Sequence, residues 1–473
     1  MPSPVLRPFQ EDLLGGARAE YAAGARSVVL SLPTGGGKTF TFCAAVARAV
    51  EQGRRAWIVV HTRNLVKQTI REVRRFNLEP GVVAGGYKPM PEAPVQVCSV
   101  QTLVRRLDAL PAPDLVVFDE AHHTLAGQHM AVVRAAPESW ILGPTATPLR
   151  TDGSALGDVY DAMVTGPSPQ WLADQGYLVE PELWTASVPD LAGLKRTRRG
   201  DWSPADLERA MASRDLIGDG AASFRQYFWP GARTAVFCAS RAHVAAELAA
   251  FRASGIAAEP LLGNMGADEQ EAVLARLAAG KTEAVLTVDV ISEGTDVPAL
   301  DGVISRRPTD SVTVWLQQTG RSLRPCRGKE RAVIVDAAGN IWRHGSPLED
   351  REFSLTSAPS RSDDEVDEEG RPLSLRQCGC GRMWTGGSHV CPACGRDNGP
   401  DPRIPKARAA ELRRVSAEDA ERARKARRAR ERAEEAQCET LSDWQALARE
   451  RGHAPGWAWH RHNARQGRRG ARG

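Results

Sequence analysis

Residues 27–39 read SVVLSLPTGGGKT, and this stretch decides the fold. An apolar run leads into a glycine-rich turn that ends in Lys38 and Thr39, and a helical pattern follows over Phe40–Gln52. In this order, backbone N–H groups and the positive end of a helix converge on an anion. The stretch therefore predicts a phosphate-binding loop, in which Lys38 reaches the β- and γ-phosphates of ATP and the Thr39 hydroxyl holds Mg²⁺. The other phosphate-binding positions that we expect are Pro33, Thr34, Gly35, Gly36 and Gly37.

A pair of carboxylates supplies the second half of the predicted site. Residues 115–122, LVVFDEAH, place Asp119 and Glu120 at the end of an apolar strand. Ligands of open α/β sheets bind at the carboxyl ends of the strands, so these side chains belong beside the phosphate loop. We expect Asp119 to hold Mg²⁺ together with Thr39, and Glu120 to position and deprotonate the attacking water.

Short apolar runs alternate with helical patterns along most of the chain. The first series is SVVLSL, AWIVVH, PVQVCSV, LVVFDE and WILGPT, and the second is TAVFCAS, AAEPLLG, EAVLTVD, GVISRR and AVIVDA. Continuous apolar strands between amphipathic helices are typical of parallel sheets that are buried on both faces. The fold class is therefore α/β, with two α/β domains in tandem.

The order of the motifs resembles that of superfamily 2 DEAD/DEAH-box helicases, in particular the RadD-like and XPB-like DNA helicases. The resemblance covers nearly all of residues 6–345 and implies two RecA-like P-loop domains with parallel sheets. RPFQ at 7–10 resembles the adenine-reading Q motif, which implies that Arg7 and Gln10 contact the base. TATP at 145–148 resembles motif III, which couples hydrolysis to strand contacts. The coupling residues that the resemblance implies are His122 of the DEAH segment at 119–122 and Thr145 and Thr147 of TATP.

Three further segments resemble motifs that touch the nucleic-acid backbone. They are HTRNL at 61–65, SVQTL at 99–103 and FCASR at 237–241. The contact residues that the resemblance implies are Thr62, Arg63, Gln101, Thr102, Ser240 and Arg241.

Two segments of the second domain resemble helicase motifs V and VI. SEGTDVP at 292–298 implies that Gly294 and Asp296 bind ATP, and QQTGRSLRP at 317–325 implies the same for Gln317. Phosphoryl transfer concentrates charge on oxygens that guanidinium groups can stabilise. We therefore expect Arg324 to act as an arginine finger with Arg321 as its companion, the two sharing one face of a helix.

A cysteine-rich island follows the second domain. Cys378 and Cys380 are separated by one residue, and Cys391 and Cys394 by two. Two close pairs in a chain without a disulfide pattern predict a tetrahedral structural Zn²⁺ site. The short first spacing leaves open His389 as a replacement ligand, a degenerate site, or redox thiols.

The charge is uneven along the chain. Residues 401–473 hold 19 Lys and Arg against 11 Asp and Glu, whereas the whole chain has a net charge of only +4. This favours a polyanionic partner, although the interleaved glutamates are equally typical of a solvated helix. Neither a signal peptide nor an apolar run long enough to span a membrane is present in the sequence, which predicts a cytoplasmic protein with no membrane partner.

The predicted organisation has six parts. They are a RecA-like ATP-binding domain (1–185), a connecting segment (186–230), a second RecA-like domain (231–345), an acidic flexible linker (346–376), a zinc-ribbon-like element (377–398) and a basic charged helix with the C-terminal tail (399–473).

The function expected from these features is an ATP-dependent DNA helicase or translocase that remodels or unwinds DNA. Its cofactors would be ATP, Mg²⁺ and Zn²⁺. Its partners would be duplex, forked or single-stranded DNA, and repair or replication proteins. Three alternatives remain: an RNA helicase, the motor subunit of a restriction system, and a nucleic-acid-binding scaffold with a silent ATPase site.

Overall fold

A computed structural model describes most of the first 399 residues and a few positions beyond them. The described residues are 4–123, 127–149, 156–185, 202–203, 207, 219–288, 300–356, 360–361, 375–385, 388–399, 438, 440, 443–444 and 447. The chain divides into two compact units, Met1–Gly399 and Pro400–Gly473. None of the described helices is long and apolar enough to cross a membrane.

The first sheet has seven parallel strands in the order β3-β4-β2-β5-β6-β1-β7. Its strands are β1 (Ser27–Ser31), β2 (Ala56–Val60), β3 (Gly81–Val83), β4 (Val95–Ser99), β5 (Leu115–Phe118), β6 (Trp140–Thr145) and β7 (Ala162–Thr165). Its helices are α1 (Pro8–Ala22), α2 (Lys38–Glu51), α3 (Arg63–Arg75), α4 (Val100–Leu103), α5 (Gly127–Ala135) and α6 (Pro169–Asp174). Short 3-10 turns cover Leu107–Ala109 and Ala121–His123.

Both faces of this sheet are covered. Along β1, Val28 and Leu30 pack into one hydrophobic cluster, whereas Val29 between them packs into another. Successive side chains of a strand point to opposite faces, so a strand covered on both sides must be apolar throughout. Burial on both faces of the sheet therefore explains why the apolar runs of the sequence are uninterrupted.

The second sheet has eight strands in the order β10-β11-β9-β12-β13-β8-β17-β16. The strands are β8 (Pro181–Thr185), β9 (Thr234–Cys238), β10 (Ala258–Leu261), β11 (Ala284–Thr287), β12 (Gly302–Arg306), β13 (Ala332–Asp336), β16 (Leu375–Gln377) and β17 (Arg382–Thr385). The helices are α7 (Asp219–Tyr227), α8 (Arg241–Ala253), α9 (Ala267–Ala278), α10 (Val312–Gly320) and α11 (Asn340–His344). A separate two-stranded ribbon joins β14 (Arg351–Glu352) to β15 (Ser360–Arg361). The prediction of two tandem α/β domains is confirmed.

The change from the first sheet to the second comes earlier than the sequence indicates. Strand β8 was expected to end the first domain, but it pairs in parallel with β13 of the second sheet. Its burial alternates between buried and intermediate residues. Such a pattern does not indicate which of two neighbouring sheets a strand joins, so only the pairing reveals it.

The first part of the predicted flexible linker is packed against the protein. Leu348 is buried, and the backbone N–H of Gly157 in the first lobe donates to the carbonyl oxygen of Leu355 at 2.8 Å. The prediction of a flexible segment starting at 346 is therefore wrong for the described residues up to 356. Its acidic composition hid the few apolar side chains that anchor it.

The described residues of the second unit form a small cluster. Cys438, Trp444 and Leu447 are buried together. The backbone N–H of Thr440 donates to the Asp443 carboxylate at 2.8 Å. The predicted charged helix of the basic tail lies outside the described residues.

Candidate active site

The phosphate loop connects β1 to α2 and has the backbone of an anion cradle. Gly35 and Gly37 both have a φ of +89°, in the left-handed region that side chains avoid. A Cβ atom on Gly37 would lie 2.5 Å from Nε2 of Gln10. Helix α2 begins at Lys38, directly after the turn, so its free N–H groups face the loop. Glycine is required here by conformation and by space.

Asp119 and Glu120 lie at the carboxyl end of β5, as predicted. Glu120 adopts a φ of 57°, unusual for a residue with a side chain, and its backbone N–H donates to Asp119 Oδ1 at 3.1 Å. Lys38 Nζ lies 3.8 Å from Glu120 Oε1. Burial, with a smaller contribution from the charge of Glu120, raises the pKa of Asp119 to about 7. A buried carboxylate beside a second one fits a site built for a divalent cation.

A hydrogen-bond network leads from this site to the end of β6. His122 Nδ1 lies 3.5 Å from Glu120 Oε2 and 3.2 Å from Thr145 Oγ1. The Thr145 hydroxyl donates to the carbonyl oxygen of Thr147 at 3.0 Å. All three coupling candidates, His122, Thr145 and Thr147, are buried. His122 thus links Glu120 to Thr145 of the predicted motif III.

One cavity of about 300 Å³ brings both lobes together at the phosphate loop. Gly320, the last residue of α10, approaches the loop so closely that a Cβ atom on it would lie 2.6 Å from Thr34 Cβ. Of the predicted site residues, those that line the cavity are Thr34, Gly35, Gly37, Lys38, Thr39, Asp119, Glu120, Gln317, Arg321 and Arg324. Phe40, Leu65, Gln68, Glu72 and Arg75 also line it, and the sequence pattern did not single them out.

The expectation that Arg321 and Arg324 share a helical face is wrong. Helix α10 ends at Gly320, and Arg321 and Arg324 lie in the turn segment 321–324 that follows it. Pro325 disfavours the helical region at Arg324, so the two arginines do not share a helical face. Both arginines nevertheless line the cavity. Gly294 and Asp296 lie outside the described residues.

An aromatic cluster borders the loop on the side of α1. Gln10 is buried; its Oε1 accepts from the Arg7 backbone N–H and its Nε2 donates to the Gly36 carbonyl, both at 3.0 Å. The Arg7 guanidinium lies 4.4 Å from the centre of the Tyr177 ring, which also packs on Phe9. Tyr177 is distant in sequence and belongs to no recognisable motif, so sequence reasoning missed it.

The predicted nucleic-acid contacts lie at the starts of helices. The side chain of Thr62 caps α3 by accepting from Leu65 N–H at 3.2 Å, and Ser240 caps α8 by accepting from His243 N–H at 3.1 Å. Gln101 Nε2 donates to the carbonyl oxygen of His61 at 3.2 Å, which joins two of the three segments. The remaining candidates are Arg63 and Arg241, which are exposed, and Thr102, which is half-buried.

The four cysteines of the island converge. The ligand atoms of Cys378, Cys380, Cys391 and Cys394 all lie within 4.8 Å of one another, with Sγ–Sγ distances of 3.6 Å and 3.7 Å for two pairs. A tetrahedron with Zn–S bonds of about 2.3 Å has edges of about 3.8 Å, so the cluster fits Zn²⁺. His389 is not part of the cluster, and its Nδ1 lies 3.0 Å from Arg376 Nη1.

Comparison with known proteins finds helicase domains in both lobes. Residues 3–150 match the family described as "Type III restriction enzyme, res subunit", and residues 224–326 match "Helicase conserved C-terminal domain". The chain therefore carries the paired helicase domains of superfamily 2.

Two relatives and one solved structure show the extent of the likeness. The "51.5 kDa protein" of Lactococcus phage (isolate 7-9) is 26% identical, over 82% of each chain. The "Putative ATP-dependent helicase IRC3" of Saccharomyces cerevisiae is 27% identical, over 71% of this chain but only 52% of its own length. In fold, the chain resembles "a putative HsdR subunit of a type I restriction enzyme" from Vibrio vulnificus YJ016, with a TM-score of 0.58, 18% identity, and coverage of 78% of this chain and 71% of that one.

Proposed function

We propose that the protein is a DNA-stimulated ATPase that translocates along or unwinds DNA, of the RadD-like or XPB-like kind. The observation that carries the proposal is the single cavity that joins the phosphate loop and Glu120 of one lobe to Arg321 and Arg324 of the other. Hydrolysis in such a site requires both lobes to be closed around the nucleotide, and release of the products lets the lobes separate. Nucleic acid bound across the lobes would be moved by that cycle.

The roles of the residues follow from their positions. The phosphate loop and Lys38 bind the β- and γ-phosphates, and Glu120 orients the attacking water and accepts its proton. Thr39 and Asp119 would hold Mg²⁺, which neutralises charge that develops on the phosphates when it is bound. Arg324 and Arg321 stabilise the charge on the transferred phosphoryl group.

The series of side-chain contacts from Glu120 through His122 and Thr145 to Thr147 supports coupling between the bound nucleotide and the nucleic-acid strand. A change at the γ-phosphate alters the position of Glu120, and His122 contacts both Glu120 and Thr145. Such a contiguous buried network has few alternative arrangements, so a shift at one end moves the other.

DNA is preferred over RNA as the track because the first domain matches a restriction-enzyme family and the motif pattern resembles RadD-like DNA helicases. A role in repair, recombination or replication in the cytoplasm belongs to the same proposal. The restriction-type match also favours one alternative, a motor that works within a restriction system, in which another subunit would cut the DNA.

ATP hydrolysis by the purified protein tests the proposal. Rates are measured alone and with single-stranded DNA, duplex DNA, forked DNA and RNA, with Lys38→Ala as the inactive control. We expect stimulation by DNA that disappears in the variant. Equal or stronger stimulation by RNA would refute the choice of DNA, and no hydrolysis with any polynucleotide would refute the autonomous motor.

A further inference from the structure

Lys329 makes an unusual set of contacts just behind the arginine pair. Its Nζ donates to the carbonyl oxygens of Leu300 at 2.5 Å and of Arg324 at 3.1 Å, and also to that of Ser322. One ammonium group has three N–H donors, so these three bonds use its full capacity.

The three carbonyls come from two segments that the chain must hold together. Ser322 and Arg324 belong to the turn after α10 that carries both arginines of the cavity. Leu300 is fully buried, precedes β12 by two residues and lies two residues after the segment that resembles motif V. Lys329 therefore links the arginine turn to the sheet of its own lobe.

Helix α10 ends at Gly320, and the turn after it has shorter-range backbone bonds, from Ser322 N–H to the Thr319 carbonyl at 2.9 Å and from Leu323 N–H to the Gly320 carbonyl at 3.4 Å. Pro325 disfavours the helical region at Arg324, so the helix does not resume there. The bonds from Lys329 therefore support the turn from outside it. A cation at this place also interacts favourably with the negative end of a helix. On the opposite side, the carbonyl oxygen of Leu323 accepts from the Val179 backbone N–H at 2.8 Å.

Asp301 and Arg233 are charged groups near Lys329. Asp301 lies nearby and is held by Arg233, whose Nε donates to Asp301 Oδ2 at 3.0 Å. Arg233 Nη2 also donates to Cys326 Sγ at 3.5 Å. Burial lowers the pKa of Lys329 from its ordinary 10.5 to about 8, with Asp301 and Cys326 opposing this change and Arg233 adding to it. The ammonium is therefore close to its titration at mildly alkaline pH.

We propose that Lys329 is a positioning residue for the arginine finger, holding the turn of Arg321 and Arg324 against the backbone at Leu300. The inference rests on the proposed ATPase function and deepens it. Without the three bonds, the turn loses its fixed distance from the phosphate loop. Misplacement of a catalytic group by about 1 Å lowers a rate by about 100-fold, whereas nucleotide binding by the phosphate loop does not depend on it.

The test compares Lys329→Met, Lys329→Arg and Arg327→Met in the full chain. Methionine keeps the length but has no donors, arginine keeps donors and charge, and Arg327 is an exposed cation of the same loop. We expect Lys329→Met to lose at least tenfold in kcat with an affinity for ADP within about twofold of wild type. Arg327→Met should match wild type, and Lys329→Arg should recover part of the rate.

The pH dependence of kcat separates positioning from a general effect on folding. Wild type should lose kcat as pH rises through about 8, because the neutral amine has one donor fewer. In Lys329→Arg this alkaline loss should be absent, since a guanidinium stays charged to a pH of about 12. Wild-type kcat in Lys329→Met, or the same alkaline limb in wild type and Lys329→Arg, would overturn the proposal.

Amide hydrogen exchange gives a result that does not require turnover. Peptides covering 320–326 should exchange faster in Lys329→Met than in wild type and Arg327→Met, and equal exchange would refute the link. If peptides 320–326 exchange slowly in wild type but the protein hydrolyses no ATP, the proposed motor is refuted and the link through Lys329 is not. Failure of the proposed function and failure of this inference are therefore distinguishable.

Discussion

Replacing Gly320 with alanine should lower the rate of ATP hydrolysis without lowering the stability of the second lobe. Gly320 ends α10, and an added Cβ atom would lie 2.6 Å from both Cβ and Cγ2 of Thr34 in the phosphate loop. Within a helix, alanine is favoured over glycine by up to about 1 kcal/mol, so the second lobe itself is not weakened. The clash lies between the two lobes, and opening the cleft relieves it.

The size of the effect follows from this distance. Carbon atoms in contact lie about 3.5 to 4.0 Å apart, so the lobes must separate by about 1 Å. Arg321 and Arg324, which follow Gly320 directly, would move away from the phosphates by a similar amount. A displacement of this size costs about 100-fold in rate, or about 2.7 kcal/mol of transition-state stabilisation.

The assay is kcat for ATP hydrolysis with saturating polynucleotide, together with the melting temperature. Gly15→Ala in α1 is the matched control, because its added Cβ would lie 3.9 Å from Arg18 Nη2, at ordinary contact distance. Gly320→Ala should cost far less in a Thr34→Gly background, where the opposing atoms are gone. Gly320→Ala with wild-type kcat, or an equal loss in both backgrounds, would refute the reasoning.

Three further substitutions test the electrostatics, the base pocket and the cysteine cluster. Asp119→Asn should raise the melting temperature of the nucleotide-free protein more at pH 8 than at pH 5, because the cost of burying this carboxyl grows with pH from its ordinary pKa of about 4 up to its folded pKa of about 7. Equal shifts at both pH values would contradict this. Tyr177→Ala should raise KM for ATP about fivefold with little change in kcat, since the ring under Arg7 contributes about 1 kcal/mol. Initial rates over a range of ATP concentrations measure KM. An unchanged KM would exclude the ring from the base site. Metal analysis should find Zn²⁺ in wild type and in Cys326→Ser but not in Cys391→Ser, as expected for one of four converging thiolates. Retention of the metal in Cys391→Ser would show that another group binds it.

The positions of the phosphate loop and the carboxylate pair were predictable because each motif lies within one strand-to-loop connection. The phosphate loop needs glycines between a strand and a helix, and the carboxylates need the end of a buried strand. Both requirements are local, and the structure places both motifs where the sequence put them. The same holds for the cysteine island, whose two pairs need only short turns to converge.

The wrong predictions concern segments whose place in the fold depends on long-range strand pairing or packing and not on their local sequence pattern. Strand β8 has an apolar pattern that either sheet could accept, and the packed part of the acidic segment depends on two or three apolar side chains. The end of α10 was missed because Arg321 and Arg324 have the spacing of a helical face, which Pro325 overrides.

The sequence by itself determined the fold class, the two lobes, and the positions of the motifs expected to bind and hydrolyse a nucleotide, because these depend on residue type at short range. Only the tertiary structure decided which distant groups meet. It brought the Gly320 end of α10 against Thr34, Tyr177 under Arg7, and Lys329 to three carbonyls from two segments. Contacts of this kind join residues far apart in the chain, and they are set by how the sheets and helices pack, which no spacing along the sequence encodes.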